Sequence, residues 1–164
     1  MELSRFEKQL QFIVELDKLK NIYRQSLVLH EDRQENDAEH SFHLAIMICL
    51  LAEYANEPID VLHTMKMVLV HDVVEIDAGD TYFYDAARNA DKEERELKAA
   101  DRLFALLPEE QEKEFRGLWE EFEAKKTPEA KASGVCLRFM LFWGTTPVAD
   151  YCSSCRTPWG TWLA

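Results

Sequence analysis

Residues 70–81 read Val-His-Asp-Val-Val-Glu-Ile-Asp-Ala-Gly-Asp-Thr, and they form the most informative segment of the chain. The pair His71-Asp72 ends a short apolar run, and three further acidic residues follow within the segment. Charged groups at the end of a buried helix cost free energy unless they are neutralised, and a divalent cation neutralises them. Imidazole and carboxylate together suit Zn²⁺, Mn²⁺, Co²⁺ or Fe²⁺. One interpretation of the segment is therefore a metal site.

The same pair has a purely structural interpretation. A histidine at a helix C-terminus interacts favourably with the helix dipole, and an aspartate beside it can be exposed to solvent. A His-Asp dipeptide also occurs by chance in many proteins. On this segment alone, both interpretations of His71-Asp72 stay open.

Helical periodicity continues toward the N-terminus. Apolar Phe6, Leu10, Ile13 and Val14 recur at helical spacing, which predicts an amphipathic helix that continues or restarts as far as Arg24. Residues 28–35 lose this periodicity and are predicted to form a loop.

The next helix is predicted to lie at the buried centre of the fold. Asn36 and Asp37 are both good N-cap residues for it, and the run Leu44 to Ala52 is apolar almost all round. Pro58 suits the first position of a third helix, which leads into residues 70–81.

Further helices are predicted after this segment. Gly79 interrupts the helical pattern, a fourth helix ends at Pro108, a fifth ends before Pro128, and Thr127 caps a sixth. No stretch of alternating apolar and polar residues predicts a strand. The sequence therefore predicts an all-α bundle of about five to six helices.

The composition limits the classes of function. At 164 residues, of which 47% are hydrophobic, the chain is long enough for one globular domain. Its net charge of −12 argues against binding to a nucleic-acid polymer, because that affinity depends on Lys and Arg. The charged start is unlike a secretory signal, and the longest uncharged apolar run is far shorter than the roughly 20 residues that span a bilayer. We therefore expect a cytoplasmic protein without membrane association.

Three segments occur in a specific order along the chain. They are residues 16–25, Leu-Asp-Lys-Leu-Lys-Asn-Ile-Tyr-Arg-Gln, residues 33–43, Arg-Gln-Glu-Asn-Asp-Ala-Glu-His-Ser-Phe-His, and residues 70–81. Together they closely resemble the HD-domain superfamily of phosphohydrolases, and within it the branch of small 5′-deoxynucleotidase-like hydrolases. The resemblance extends from residue 10 or so to residue 131.

The resemblance implies a helical fold that holds one divalent metal ion, which could be Mn²⁺, Co²⁺, Zn²⁺, Fe²⁺ or Mg²⁺. The ligands that it implies in this sequence are His40, His71 and Asp72. The bound metal lowers the pKa of a water and polarises the phosphorus centre of the substrate.

The resemblance also implies roles for three further side chains. Glu75 corresponds to the acid that orients or deprotonates the attacking water, and Asp80 corresponds to an acid near the leaving oxygen. Arg24 corresponds to the phosphate-binding arginine, whose planar guanidinium can hold a phosphoryl group bidentately. Other interpretations stay open: Glu75 or Asp80 could be a capping or solvated acid, and Arg24 could pair with Glu31 or Asp32 at the surface.

After Lys131 the character of the sequence changes. Residues 132–164 contain only three charged side chains, yet they hold three of the four cysteines and three of the four tryptophans. The family's fourth metal ligand is an aspartate in this region, and simple register places Leu137 at its position. We interpret residues 1–131 as the HD domain and residues 132–164 as an irregular tail produced by a frameshift. The alternative is a divergent C-terminal region.

Two functions follow from the sequence. The first is a metal-dependent phosphohydrolase that acts on a small-molecule substrate, a (deoxy)nucleoside 5′-monophosphate, and assembles as a homodimer. The second is a catalytically impaired helical interaction protein, which keeps the fold and its dimer surface but lacks the fourth metal ligand. Bound metal together with turnover distinguishes the first from the second.

Overall fold

The structure, a computed structural model, describes residues 3–28, 31–79 and 91–143. Helices dominate this part of the chain, which confirms the predicted all-α class, and none of them is long and apolar enough to cross a membrane. The elements in chain order are α1 (Arg5–Leu16), a 3₁₀ helix (Asp17–Asn21), β1 (Tyr23–Leu27), β2 (Gln34–Asn36), α2 (Asp37–Leu51), a 3₁₀ turn (Ala52–Tyr54), α3 (Val61–Val70), α4 (Glu75–Ala78), α5 (Lys92–Phe104), α6 (Glu109–Ala124) and α7 (Pro128–Trp143).

The strands β1 and β2 form an antiparallel hairpin, so the prediction that the chain contains no strand is wrong. Helix α1 ends at Leu16, and Arg24 lies on β1 instead of near the end of a helix. Strands this short carry too few residues for an alternating pattern to stand out from the flanking sequence. The hairpin places Arg24 on one strand beside Glu35 on the other.

The apolar residues that predict helix α1 do not face the core. Phe6, Leu10, Ile13 and Val14 are 71%, 47%, 60% and 63% exposed. Phe12 enters the core instead and is 3% exposed. The spacing of apolar residues correctly identifies an apolar face of the helix, but it does not specify which surface covers that face.

Helix α2 begins at a capping box. The side chain of Asn36 accepts a hydrogen bond from the backbone N–H of Glu39 at 3.0 Å, and Glu39 accepts one from the backbone of Asn36. Asn36 is therefore the N-cap that the sequence offered as one of two candidates. The apolar run is not buried all round, because α2 packs against other helices on one side only. Its outer side carries the exposed Phe42, Ile46 and Leu50.

Helix α3 leads into the segment 70–81. Its N-cap is Asp60, whose carboxylate accepts a hydrogen bond from the backbone N–H of His63 at 3.0 Å, so the predicted start at Pro58 is wrong. The helix ends at Val70 with His71 as its C-cap, and a turn connects it to α4. Gly79 adopts a φ of 73° directly after α4. This left-handed conformation favours glycine and explains the predicted interruption.

The core lies between α3 and the last three helices. Leu103 and Phe104 of α5 are fully buried, and they belong to the same cluster as Trp119 and Phe122 of α6. A second cluster joins α2 and α3 to α7. The predicted cap of α7 is confirmed, because Thr127 Oγ1 accepts a hydrogen bond from a backbone N–H one turn later.

Helix α7 continues without interruption across the position where the sequence changes character. Ser133, Cys136 and Met140 are buried on its inner side. Residues 132–143 are therefore helical and not irregular, whereas residues 144–164 lie outside the described part of the chain. The domain boundary at residue 131 and the frameshift remain predictions.

We expect Leu103→Ala to destabilise the fold and Leu62→Ala to leave its stability nearly unchanged. Leu103 is 0% exposed and Leu62 is 64% exposed. Removing the buried side chain leaves a cavity and costs about 2–5 kcal/mol, whereas the exposed control changes the free energy of unfolding by less than about 0.5 kcal/mol. Urea denaturation of both variants measures the difference. Equal losses would contradict the packing described.

Candidate metal centre

His40, His71 and Asp72 come together although two helices supply them. His40 lies in the first part of α2, and the other two follow the end of α3. One ligand atom from each lies within 4.8 Å of the others, and all three side chains are buried. The extensive packing of α2 against α3 holds these atoms at the distances that a shared cation requires. The structure therefore brings together the three predicted ligands.

Each imidazole presents one nitrogen to the centre and uses the other for a hydrogen bond. His40 Nδ1 lies 3.1 Å from Glu35 Oε2, and His71 Nδ1 lies 2.7 Å from the backbone oxygen of Val68. Both oxygens only accept, so Nδ1 carries the proton in each ring. The Nε2 atoms of both rings are buried and have no hydrogen-bond partner among the described residues.

This arrangement fits a metal ion. A neutral imidazole protonated at Nδ1 has its lone pair on Nε2, and metal-binding histidines commonly donate their other N–H to a carboxylate or a backbone carbonyl. Burial lowers the pKa of His40 and outweighs the opposing effect of its hydrogen bond to Glu35, so the pKa lies below its ordinary value. His40 is therefore neutral at neutral pH, as coordination requires.

Asp72 is the carboxylate of the centre. Its Oδ2 lies 3.1 Å from His71 Nε2 and 4.0 Å from His40 Nε2. Burial raises the pKa of Asp72, but the guanidinium of Arg24, 2.6 Å away, opposes this effect, and the pKa lies well below its ordinary value. The carboxylate is therefore ionised across the neutral pH range.

Arg24 reaches the centre from β1. Its Nη1 lies 2.6 Å from Asp72 Oδ2 and 3.1 Å from Asp37 Oδ1. The side chain of Arg24 is only 12% exposed, so it does not lie at the surface as the alternative interpretation requires. Arg24 lies beside the predicted ligands, and its contact with a substrate phosphate stays a prediction.

Of the two predicted catalytic acids, the structure describes Glu75 but not Asp80. Glu75 is the first residue of α4 and is buried, only 6% exposed, directly after the turn that holds His71 and Asp72. It is therefore not a solvated surface acid. Asp80 lies outside the described residues, and its predicted role stays a prediction.

Sequence reasoning missed two buried acids, Glu35 and Asp37. Asp37 is 0% exposed and pairs with Arg24, and Glu35 contacts His40. The sequence indicates Asp37 only as a possible helix cap, and it contains no periodic pattern that singles out Glu35. Both residues lie within the segment 33–43, so their proximity to His40 along the chain was the available signal.

Leu137, the residue at the fourth ligand position by register, lies on α7. It is partly buried and packs against both core clusters. Helix α7 contacts both α2 and α3, the two helices that lead to the predicted ligands. Among the described residues, the only group of three or more possible ligands within reach of one ion is His40, His71 and Asp72.

The family of the chain is shown by a family model that matches most of its sequence. The model of the HD domain family matches residues 16–147. The chain therefore belongs to the HD domain family, and the match includes all three predicted ligands and helix α7.

Individual relatives agree with this assignment. The 5′-deoxynucleotidase HDDC2 of Danio rerio is 31% identical over 126 residues, which are 76% of this chain and 62% of that protein. The protein of the same name from Dictyostelium discoideum is 33% identical over 127 residues, 74% of this chain and 67% of that protein. The chain thus spans roughly three fifths to two thirds of the length of these curated relatives.

A solved structure is also similar. The crystal structure of a predicted metal-dependent phosphohydrolase from Magnetospirillum magnetotacticum superimposes with a TM-score of 0.80 at 51% sequence identity. The superposition covers 85% of this chain and 70% of that one.

We expect His40→Ala to remove metal binding and His43→Ala to preserve it. Both residues lie on α2, but only His40 turns a buried nitrogen toward Asp72, whereas His43 is exposed. Loss of a direct ligand should weaken Co²⁺ affinity by more than about 100-fold, since losses around 10–100-fold are typical for outer partners alone. Calorimetric titration of the metal-free variants measures the two affinities. Equal affinities would place the metal elsewhere.

Proposed function

We propose that the chain is a metal-dependent phosphohydrolase that removes phosphate from (deoxy)nucleoside 5′-monophosphates. The observation that carries the proposal is the pair of buried Nε2 atoms of His40 and His71, which face the ionised Asp72 beside Arg24. Membership of the HD domain family and the activity named for the Danio rerio relative support it.

The proposed chemistry divides among few side chains. His40, His71 and Asp72 hold one divalent cation, which supplies Lewis acidity and lowers the pKa of a bound water. Arg24 binds the phosphoryl oxygens, and Glu75 orients the attacking water and accepts its proton. Asp80 lies near the leaving oxygen of the nucleoside in this proposal.

A second candidate function is favoured by Leu137. Simple register predicts Leu137, a partly buried apolar side chain, at the position of the fourth ligand, and Asp72 is then the one carboxylate of the ligand set. Three protein ligands can retain a divalent ion, but fewer carboxylates weaken its affinity. The alternative is therefore a helical protein with impaired catalysis that serves as a dimerisation or interaction module.

We also propose that the chain forms a cytoplasmic homodimer. Support for the dimer comes from the exposed apolar stripe of α1, Phe6, Leu10 and Ile13, because contiguous apolar surface of this kind often marks an interface. Support for the compartment comes from the free thiols of Cys49 and Cys136. Light scattering coupled to size-exclusion chromatography tests the dimer, and a monomeric wild-type chain would refute it.

One experiment separates the two candidate functions. The purified chain is stripped of metal, loaded separately with Mn²⁺, Co²⁺, Zn²⁺ or Mg²⁺, and assayed for phosphate release from deoxyadenosine 5′-monophosphate. The 3′-monophosphate serves as the control substrate. Metal-dependent release from the 5′-ester supports the hydrolase, whereas a folded dimer without metal or turnover supports the interaction module.

Replacing residues 132–164 with the in-frame continuation of the gene tests the C-terminal hypothesis in the same assay. We expect the replaced chain to bind metal more tightly and to turn over faster, because it regains the fourth ligand. An unchanged affinity and turnover would show that the present C-terminal region is genuine.

We expect Arg24→Ala to raise KM and lower kcat/KM. Arg24 lies 2.6 Å from the Asp72 carboxylate, where it can reach an oxygen of a phosphate bound at the metal. Because it is not a ligand, the metal content should be retained. Steady-state kinetics with parallel metal analysis measures both effects, with Arg33→Ala as the exposed control. An unchanged kcat/KM would remove Arg24 from the site.

We expect Glu75→Gln to lower kcat on the order of 10²-fold with fold and metal retained, because the amide cannot accept the proton of the attacking water. The isosteric change preserves the volume of this buried side chain. Single-turnover kinetics at saturating substrate measures the loss. Full activity would assign the role elsewhere, with Asp80→Asn as the next variant to test.

A further inference from the structure

Glu35 is a buried acid that has no role in the proposed chemistry. It lies on β2, one residue before the N-cap of α2 and five residues before His40. Its Oε2 lies 3.1 Å from His40 Nδ1 and 3.4 Å from Ser26 Oγ. The hairpin therefore holds the carboxylate directly behind the imidazole, on the side away from Asp72.

The contact determines which nitrogen of His40 carries the proton. A carboxylate accepts hydrogen bonds and does not donate them, so it selects the tautomer protonated at Nδ1. That tautomer leaves the lone pair on Nε2, which lies 4.0 Å from Asp72 Oδ2. Without the carboxylate, no acceptor at this position would select between the two ring nitrogens as the site of the proton.

The two histidines of the centre are supported differently. His71 donates to a neutral carbonyl within its own helical segment, 2.7 Å away. His40 donates to an anionic side chain from a different element, 3.1 Å away. A charged acceptor makes the imidazole a stronger electron donor than a neutral one does. The strength of His40 as a ligand therefore depends on the position of the hairpin.

We propose that Glu35 is a positioning residue that fixes the orientation and tautomer of His40 for metal binding. The proposal rests on the proposed metal-dependent function but concerns a residue that does not touch the metal or the substrate. It also assigns a purpose to the hairpin, because the hairpin carries Glu35 and its second contact, Ser26.

The first test compares Co²⁺ affinities of metal-free protein. Glu35→Ala should weaken binding by about 10–100-fold, the range for lost outer partners of a ligand. Glu35→Gln keeps an acceptor oxygen and should stay within about tenfold of wild type. Glu31→Ala is the control, because Glu31 is an exposed residue in the turn between β1 and β2, and this variant should have no effect. A Glu35→Ala variant that binds as wild type, or a Glu35→Gln variant as weak as Glu35→Ala, would overturn the proposal.

The second test needs neither metal nor substrate. Nitrogen-15 spectra of histidine-labelled, metal-free protein report which ring nitrogen is protonated, and His40→Gln identifies the His40 signals. We expect Nδ1–H at His40 in the wild type and its loss in Glu35→Ala, with the His71 signals unchanged as an internal control. A wild-type His40 protonated at Nε2 refutes the role of Glu35, even if Glu35→Ala does not fold. A wild type that binds no Co²⁺ refutes the proposed function instead.

Discussion

The carboxylate of Asp72 is the constraint on which the rest of the structure depends. It is 7% exposed and ionised, and an ionised group at this depth is stable only beside partners that offset its lost hydration. Arg24 provides the compensating charge from the hairpin at 2.6 Å, and His40 of α2 and His71 at the end of α3 enclose the carboxylate. Removing one partner of such a buried pair costs about 3–5 kcal/mol. The hairpin, α2 and α3 must therefore all adopt their positions for the buried Asp72 to be stable.

The hairpin is the least self-sufficient of these segments. Two strands this short are marginal in water without further packing. Here the backbone N–H of Asp37, the first residue of α2, donates to the carbonyl of Ile22 at 3.1 Å, and Asn36 at the end of β2 caps the same helix. Folding of α2 thus fixes the hairpin, and the hairpin in turn delivers Arg24 and Glu35 to the centre.

The sequence predicts the features that depend on neighbouring residues, and it does not predict those that depend on tertiary contacts. Pro108 lies four residues after the end of α5 and is the N-cap of α6, and Thr127 caps α7, so the sequence predicts these junctions from residues that act locally. His40, His71 and Asp72 were predicted because they lie in recognisable segments. The hairpin was not predicted, and the contacts of Glu35 and Asp37 depend on it. These contacts are set by tertiary structure, which local periodicity does not report.

The charges around the centre bear on the predicted loss of a fourth ligand. Glu35, Asp37, Asp72 and Glu75 are four buried acids at or beside the centre, and Arg24 pairs with two of them. This concentration of carboxylates favours a divalent cation. Of these acids only Asp72 is a predicted ligand, but buried charges that do not coordinate still attract a cation, because screening by water is weak there. If Leu137 takes the place of a fourth aspartate, as simple register predicts, the change should therefore affect the number of bound waters and the geometry of the ion more than its presence.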